Sequence, residues 1–345
     1  MQHPTPSVSI DTFDYSLPED SIAQTPVEPR DGAKLLDATG ADDRGMGVEH
    51  RVVRDLPTLV GPGDVIVIND TRVLPARLLL AKQTGGAAEV MLLDEHDDAH
   101  WRALVRPSRR IKPGTTLVDS SGAPAVQVDA DLGEGVRLVR PATDETMLAV
   151  AHRLGAVPLP PYITAELADD ERYQTVYSRN ERSVAAPTAG LHLTPEVLTE
   201  CEQAGATVHT VELAVGLGTF RPIMVDDISE HQMHGERFVV AAQTLAACHS
   251  AERVIAIGTT SVRALESAAT LGHSNGTTEL FISPGYEWKL VDVLFTNFHQ
   301  PRSSLLVMLA AFAGPRWRSF YDQALDRNYR FLSFGDAMIV ARGAS

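Results

Sequence analysis

Short apolar runs, each ending in glycine or polar residues, recur along the chain and set its expected architecture. Residues 65–68, 208–215, 253–257 and 291–295 have the length and β-branched content of buried strands. Helical patterns alternate with them. Thr194 reads as an N-cap, with Pro195 at the first helical position and Gly205 past the end. A helix follows Gly258-Thr259-Thr260 and runs through Ala269. An apolar helix opens at Pro301 and Ser303 and reaches about Ala313, another covers 317–327, and residues 331–340 return to the sheet. Repeated strand–turn–helix units predict an α/β core with a mainly parallel sheet.

The texture changes over residues 76–155. Short β-rich runs at 89–93, 101–105, 116–118, 125–128 and 136–139 are punctuated by Gly85-Gly86, Pro113-Gly114, Ser121-Gly122 and the glycines at 133 and 135. That spacing predicts an inserted all-β domain, a small barrel or sandwich. The expected organisation is a discontinuous core over 13–75 and 156–345, the insertion over 76–155, and a flexible tail over 1–12. Residues 37–47 read as an exposed loop.

Composition narrows the class. With 345 residues and 44% hydrophobic content, the chain is long enough for two domains and able to bury a core. Two cysteines, Cys201 and Cys248, show no CxxC spacing and suit a reducing compartment. Neither a signal-peptide pattern nor a long apolar span is visible, so a cytoplasmic protein without membrane contact is expected. The net charge of −15 argues against a broadly basic surface. Against that background Arg102, Arg106, Arg109, Arg110 and Lys112 form the densest basic cluster, a solvated loop or a phosphate-backbone contact.

In open α/β sheets, ligands bind beyond the carboxyl ends of the strands. Those ends read Asn69-Asp70-Thr71, Gly216-Leu217-Gly218-Thr219, Gly258-Thr259-Thr260-Ser261 and Thr296-Asn297-Phe298-His299. All are polar or glycine. No Walker motif or GxGxxG fingerprint is present, which disfavours ATP and dinucleotides. Thr188 and His192 lie in a second small-residue loop, an equally good structural connector. His231 and His234 would share one face of a helical turn, with Glu236 close by; they suit acid–base work, a metal, or an ordinary surface turn. Arg263, one turn into its helix, suits a carboxylate. Asp336, in an apolar setting, is a candidate acid.

The segments FDYSLPEDSIAQTP, GDVIVINDTRVLPARL, VPLPPYI, ERYQTVY, SVAAPTAGLHLTPEVL, VGLGTFRPI, EHQMHGE, IAIGTTSVRALES, LFISPGY, TNFHQPRSSLLVMLAAFAG and YRFLSFGDAMIV run in order from Phe13 to Val340. In them the chain resembles the S-adenosylmethionine:tRNA ribosyltransferase-isomerase family of queuosine biosynthesis. The resemblance implies transfer and isomerisation of the ribosyl group of S-adenosylmethionine onto 7-aminomethyl-7-deazaguanine at the tRNA wobble position. Epoxyqueuosine-tRNA, adenine and methionine would be the products. It implies no cofactor and no metal, S-adenosylmethionine as co-substrate, tRNA as acceptor, and a monomer is expected. His231, His234, Glu236 and Asp336 become the expected proton-transfer groups. Asn69, Asp70, Arg77, Thr188, His192, Gly216, Gly218, Thr219, Thr259, Thr260, Arg263, Asn297 and His299 become expected substrate contacts. Two positions depart from the family's usual pattern: Ala214 stands where a histidine is usual, and Gln300 where a leucine is. Alternative readings are a relative that uses the same donor with a non-tRNA or small acceptor, and a non-catalytic protein that binds S-adenosylmethionine or RNA.

Overall fold

The structure, a computed structural model, describes residues 7–216 and 222–343. Its described residues divide into two compact units. Val73–Leu159 with Glu181–Ala185 form the smaller, and the rest form the larger.

The larger unit is built on a nine-stranded sheet. Its strands in chain order are β1 (Lys34–Ala38), β2 (Glu49–Val52), β3 (Asp64–Asn69), β4 (Thr207–Leu213), β5 (Glu236–Val240), β6 (Arg253–Ile257), β7 (Asn275–Thr278), β8 (Val293–Asn297) and β9 (Ala337–Ala341). Their order across the sheet is β7-β5-β4-β3-β6-β8-β9-β1-β2. The central strands β4, β3, β6 and β8 are parallel. Outside them β5 runs against β4, β7 against β5, β9 against β8 and β2 against β1, while β9 and β1 are parallel. The sheet is therefore mixed, and the expectation of a mainly parallel sheet is corrected. The physical reason lies in the connections. A single helix between strands returns the chain to its starting end and so gives a parallel pair. Two helices, Ser304–Ala313 and Trp317–Asp326, separate β8 from β9 and reverse the chain once more.

Alternation places Leu35, Ile66, Ile68, Ile255, Ile257, Val293, Phe295, Ala337 and Ile339 in one apolar cluster, with Val197 and Cys201 of the helix Pro195–Gln203 packed on it. That helix begins as its sequence predicts: Thr194 Oγ1 accepts from the Val197 N–H at 3.2 Å. Helix Thr259–Leu271 is buried from Thr259 through Ala268 and packs on β3, β4, β5, β6 and β8. Both faces of the central strands are thus covered, which is why they read as unbroken apolar runs.

In the smaller unit, strands Arg77–Lys82, Ala87–Glu95, Trp101–Arg106, Val136–Pro141, Pro124–Gly133 and Thr116–Val118 pair in that order, and the last pairs back to the first. Every pairing is antiparallel, so the result is a closed six-stranded barrel. Leu78, Leu80, Val90, Leu92, Val105, Val126, Val128 and Val139 are buried within it. The unit also carries a helix, Met147–Leu154, that an all-β reading of the insertion did not contain. Residues 9–12, expected to belong to a flexible tail, are docked on the larger unit. Ser9 pairs with Asp227, the Ile10 N–H donates to the Asp226 carbonyl at 2.9 Å, and Ile10 and Phe13 are buried. Two apolar side chains with a sheet-like partner are enough to dock that segment.

Candidate active site

The register levels the ends of the central strands: Val211 faces Asn69, Ala256 faces Val67, and Ile257 faces Phe295. Two adjoining hollows lie there and share Thr188, Asn297, His299 and Leu305 in their walls. Gly258, Thr259 and Thr260 close one side and Val215 borders it. Gly258 has φ +86°, which favours glycine, and an added Cβ would meet the Ala189 Cβ at 3.4 Å.

Asn297 is the hub. Its Oδ1 accepts from the Thr188 hydroxyl at 2.9 Å, and its Nδ2 meets His192 Nε2 at 3.0 Å. With Nδ2 as donor, His192 Nε2 is the acceptor and its proton sits on Nδ1. His192 is buried, and loss of solvation, helped by Arg330, pushes its pKa down to about 3. It is a neutral imidazole at ordinary pH. His299 is likewise buried, and desolvation lowers its pKa to about 3. Its Nε2 lies 3.1 Å from Thr296 Oγ1; its N–H donates to the Tyr321 hydroxyl at 2.7 Å, and its carbonyl accepts from Tyr15 at 2.6 Å.

Other expected site residues have structural partners. Asn69 clips two strand ends together, donating to the Leu213 carbonyl at 3.1 Å and accepting from the Leu213 and Thr71 N–H groups at 3.2 Å. Asp70 is buried, its Oδ1 has no partner among the described residues, and desolvation, then Glu212, raises its pKa. Asp336 accepts from the Lys34 N–H at 2.9 Å and the Arg330 N–H at 2.8 Å, which fastens the 330–336 turn to β1. Its carbonyl lies 3.4 Å from Asn297 Nδ2.

The segment 231–235 is not helical, so His231 and His234 do not stack on a helical face. His231 is partly buried, packs edge-on against Phe281 with ring centroids 5.1 Å apart, and has its pKa lowered by desolvation and by His234. His234 is exposed. Glu236 opens β5 and is buried; it binds the Arg263 guanidinium and accepts the Gly216 N–H at 2.9 Å. Among the described residues, no group of three or more His, Cys, Asp or Glu side chains is placed to hold a metal ion. Gly218 and Thr219 lie outside the described residues. Ala214 has left β4, and its N–H donates to the Arg237 carbonyl at 2.9 Å.

Arg77 and the basic cluster belong to the smaller unit. Arg77 is paired with Glu89 at 2.8 Å and Arg102 with Asp94 at 2.5 Å. Arg106, Arg109 and Arg110 are exposed and pair with no carboxylate among the described residues. Sequence reasoning missed Glu266, a buried carboxylate that accepts from the Tyr286 hydroxyl and from the Lys289, Leu290 and Val291 N–H groups at 3.0 Å. Its signal was an acid three residues after Arg263 in a helix of otherwise small and apolar side chains.

The model of a family described as queuosine biosynthesis protein matches residues 10–340. The chain belongs to this family. An S-adenosylmethionine:tRNA ribosyltransferase-isomerase of Rubrobacter xylanophilus is 48% identical over 334 residues, covering 96% of this chain and 98% of that one. A protein of the same name from Synechococcus elongatus is 46% identical, covering 99% and 98%. The crystal structure of the S-adenosylmethionine tRNA ribosyltransferase of Thermotoga maritima is similar at 33% identity and TM-score 0.54, over 95% of this chain and 99% of that one. The family match spans both the mixed sheet and the antiparallel barrel.

Proposed function

We propose that the chain transfers and isomerises the ribosyl group of S-adenosylmethionine onto the 7-aminomethyl-7-deazaguanine of a tRNA wobble position. Epoxyqueuosine-tRNA, adenine and methionine are the products. The observation that carries this reading is end-to-end similarity to relatives bearing that name, joined to a polar strand-end cleft in this chain.

The chemistry requires three things of the protein. A base removes a C5′ proton that the adjacent sulfonium has acidified. A hydrogen-bond network steadies the departing adenine and the ribose hydroxyls. A charged group holds the methionine end. His231 suits the base, because its lowered pKa keeps it unprotonated near neutral pH. Thr188, Asn297 and Thr259 suit the polar contacts, with neutral His192 orienting Asn297 as a hydrogen-bond acceptor. Asp336 supports that orientation through its carbonyl, and its carboxylate is engaged by backbone. On the barrel, Arg106, Arg109 and Arg110 suit the phosphates of tRNA. The protein works as a monomer in the cytoplasm and needs no cofactor.

The test is adenine release from S-adenosylmethionine with tRNA carrying the 7-deazaguanine precursor. Adenine and epoxyqueuosine-tRNA in equal amounts support the reading. Adenine release with a small acceptor and none with this tRNA would replace the acceptor. No release with either would leave a binding protein.

A further inference from the structure

We propose that Arg263 receives the carboxylate of the donor's amino-acid end, and that Glu236 is the positioning residue that holds Arg263 for this task. The proposal rests on the reading above, in which S-adenosylmethionine is the donor, and it assigns Glu236 a role other than proton transfer. Arg263 is 3% exposed. Its Nη1 binds Glu236 Oε2, while Nε and Nη2 have no hydrogen-bond partner among the described residues. Leaving two donors of a buried cation unmet is costly, so a fold that does so reserves them. Nε and Nη2 make up one edge of the guanidinium fork, the edge that grips a carboxylate with two parallel hydrogen bonds.

The surroundings fit the same ligand. Thr259 and Thr260 border the cleft, and Arg263 follows them by four and three residues, which puts it on their helix face. Thr260 Oγ1 is buried and also has no partner among the described residues, and it can accept from an α-ammonium beside the carboxylate. Glu236 ties the site to the strand end. Its Oε1 accepts the N–H of Gly216, next to the cleft residue Val215, while Oε2 holds the guanidinium. Before the donor arrives, the Arg263–Glu236 pair has no net charge and tolerates burial. The amino-acid end is itself a zwitterion, so filling the site adds no net buried charge. With both oxygens engaged by Arg263 and Gly216, Glu236 is poorly suited to act as a base.

The experiment is calorimetric binding of three probes: S-adenosylmethionine, its decarboxylated analogue, and 5′-methylthioadenosine, which lacks the amino-acid end. The unmodified protein should bind S-adenosylmethionine roughly 10- to 100-fold tighter than the decarboxylated analogue. Arg263→Met should bind those two alike and keep its affinity for 5′-methylthioadenosine, which also reports an intact fold. Arg263→Lys, a milder change that keeps the charge but loses the fork, should lose most of the preference. Glu236→Gln should reduce the preference and raise the donor KM more than it lowers kcat, the split expected of a positioning residue. Equal binding of the two donors by the unmodified protein, or full preference retained in both Arg263 variants, would overturn the proposal. A Glu236→Gln variant whose kcat collapses at unchanged KM would return Glu236 to proton transfer and overturn its positioning role. If the unmodified protein binds none of the three nucleosides, the donor reading itself fails and the proposal goes with it.

Discussion

At the ends of the parallel strands, His192 and His299 are buried, uncharged and hydrogen-bonded, and the Arg263 guanidinium is matched to Glu236. On the barrel, Arg106, Arg109 and Arg110 stand exposed without a carboxylate partner among the described residues, although the chain as a whole carries a net charge of −15. The difference follows from solvent. A charge in the cleft must be paired or discharged, because burial penalises it heavily. A charge on the barrel surface costs little to leave unpaired and remains available to a polyanion. Under the proposed function, the two regions would serve two halves of one reaction: uncharged, oriented groups for a sulfonium nucleoside, and free cations for a nucleic-acid backbone.

The largest effect is expected in the cleft. Asn297→Ala removes the group that joins Thr188 to His192. Adenine release should fall roughly 10²- to 10³-fold, the usual cost of losing one oriented donor in an active site. The same change should cost about 1–3 kcal/mol in chemical denaturation, because His192 and Thr188 lose a buried partner. The salt dependence of tRNA binding should not move. Turnover within twofold of the unmodified protein would mean that the chemistry is elsewhere.

Next is a contrast between two neighbouring histidines. His231→Gln should lower single-turnover adenine release by roughly 100-fold, as loss of a general base does. His234→Gln, at an exposed position, should change it by less than about threefold. Equal losses would remove the distinction that partial burial draws between them.

The barrel supplies the third. Reversing charge at Arg106 and Arg109 together should weaken tRNA binding roughly tenfold or more near physiological salt. It should also reduce the slope of log K against log salt by about two. Binding of S-adenosylmethionine should be unaffected. A slope that stays put would make this rim a solvated loop and dissolve the comparison.

The smallest effect is on the pH dependence of stability. His192 and His299 have folded-state pKa values near 3, below the ordinary 6.5. Between those values the unfolded chain binds protons that the folded protein refuses. Stability is therefore full above about pH 6.5 and is lost progressively as pH falls towards 3. His192→Gln should flatten that acid limb in thermal melts, whereas His234→Gln should leave its slope unchanged. A cleft variant with the same acid limb as the unmodified protein would show that His192 is not held neutral by the fold.

Much of the fold was legible in local pattern. Thr194, Pro195 and Gly205 bracket a helix observed over Pro195–Gln203, and the apolar run after Gly63 is the strand Asp64–Asn69. The glycine turns between residues 76 and 155 announced the barrel strands, because hairpins need residues that tolerate positive φ, as Gly85, Gly114, Gly122 and Gly133 do here. Helix Met147–Leu154 was hidden among strands because it is too short for a clear helical period. Strand Glu236–Val240 and the edge strand beside it, Asn275–Thr278, were also missed; the first is half-exposed and the second carries little apolar pattern. In the site, the residue types at the strand ends were legible, but their roles were not. Asn69 read as a substrate contact and Asp336 as a candidate acid, yet their described hydrogen bonds are to backbone.

By itself, the sequence determined most of the elements, the polar strand ends and the family, because propensity, capping and motif order act within short stretches of chain. Only the tertiary structure decided strand direction at the sheet's flanks, since that depends on how many helices intervene and where they pack. It alone decided that Asn297 meets His192, 105 residues away, and that Arg263 meets Glu236, 27 residues away. It also decided the protonation of His192 and His299. An imidazole's charge answers to the solvent it has lost and the charges around it, and both are set by residues far off in the chain.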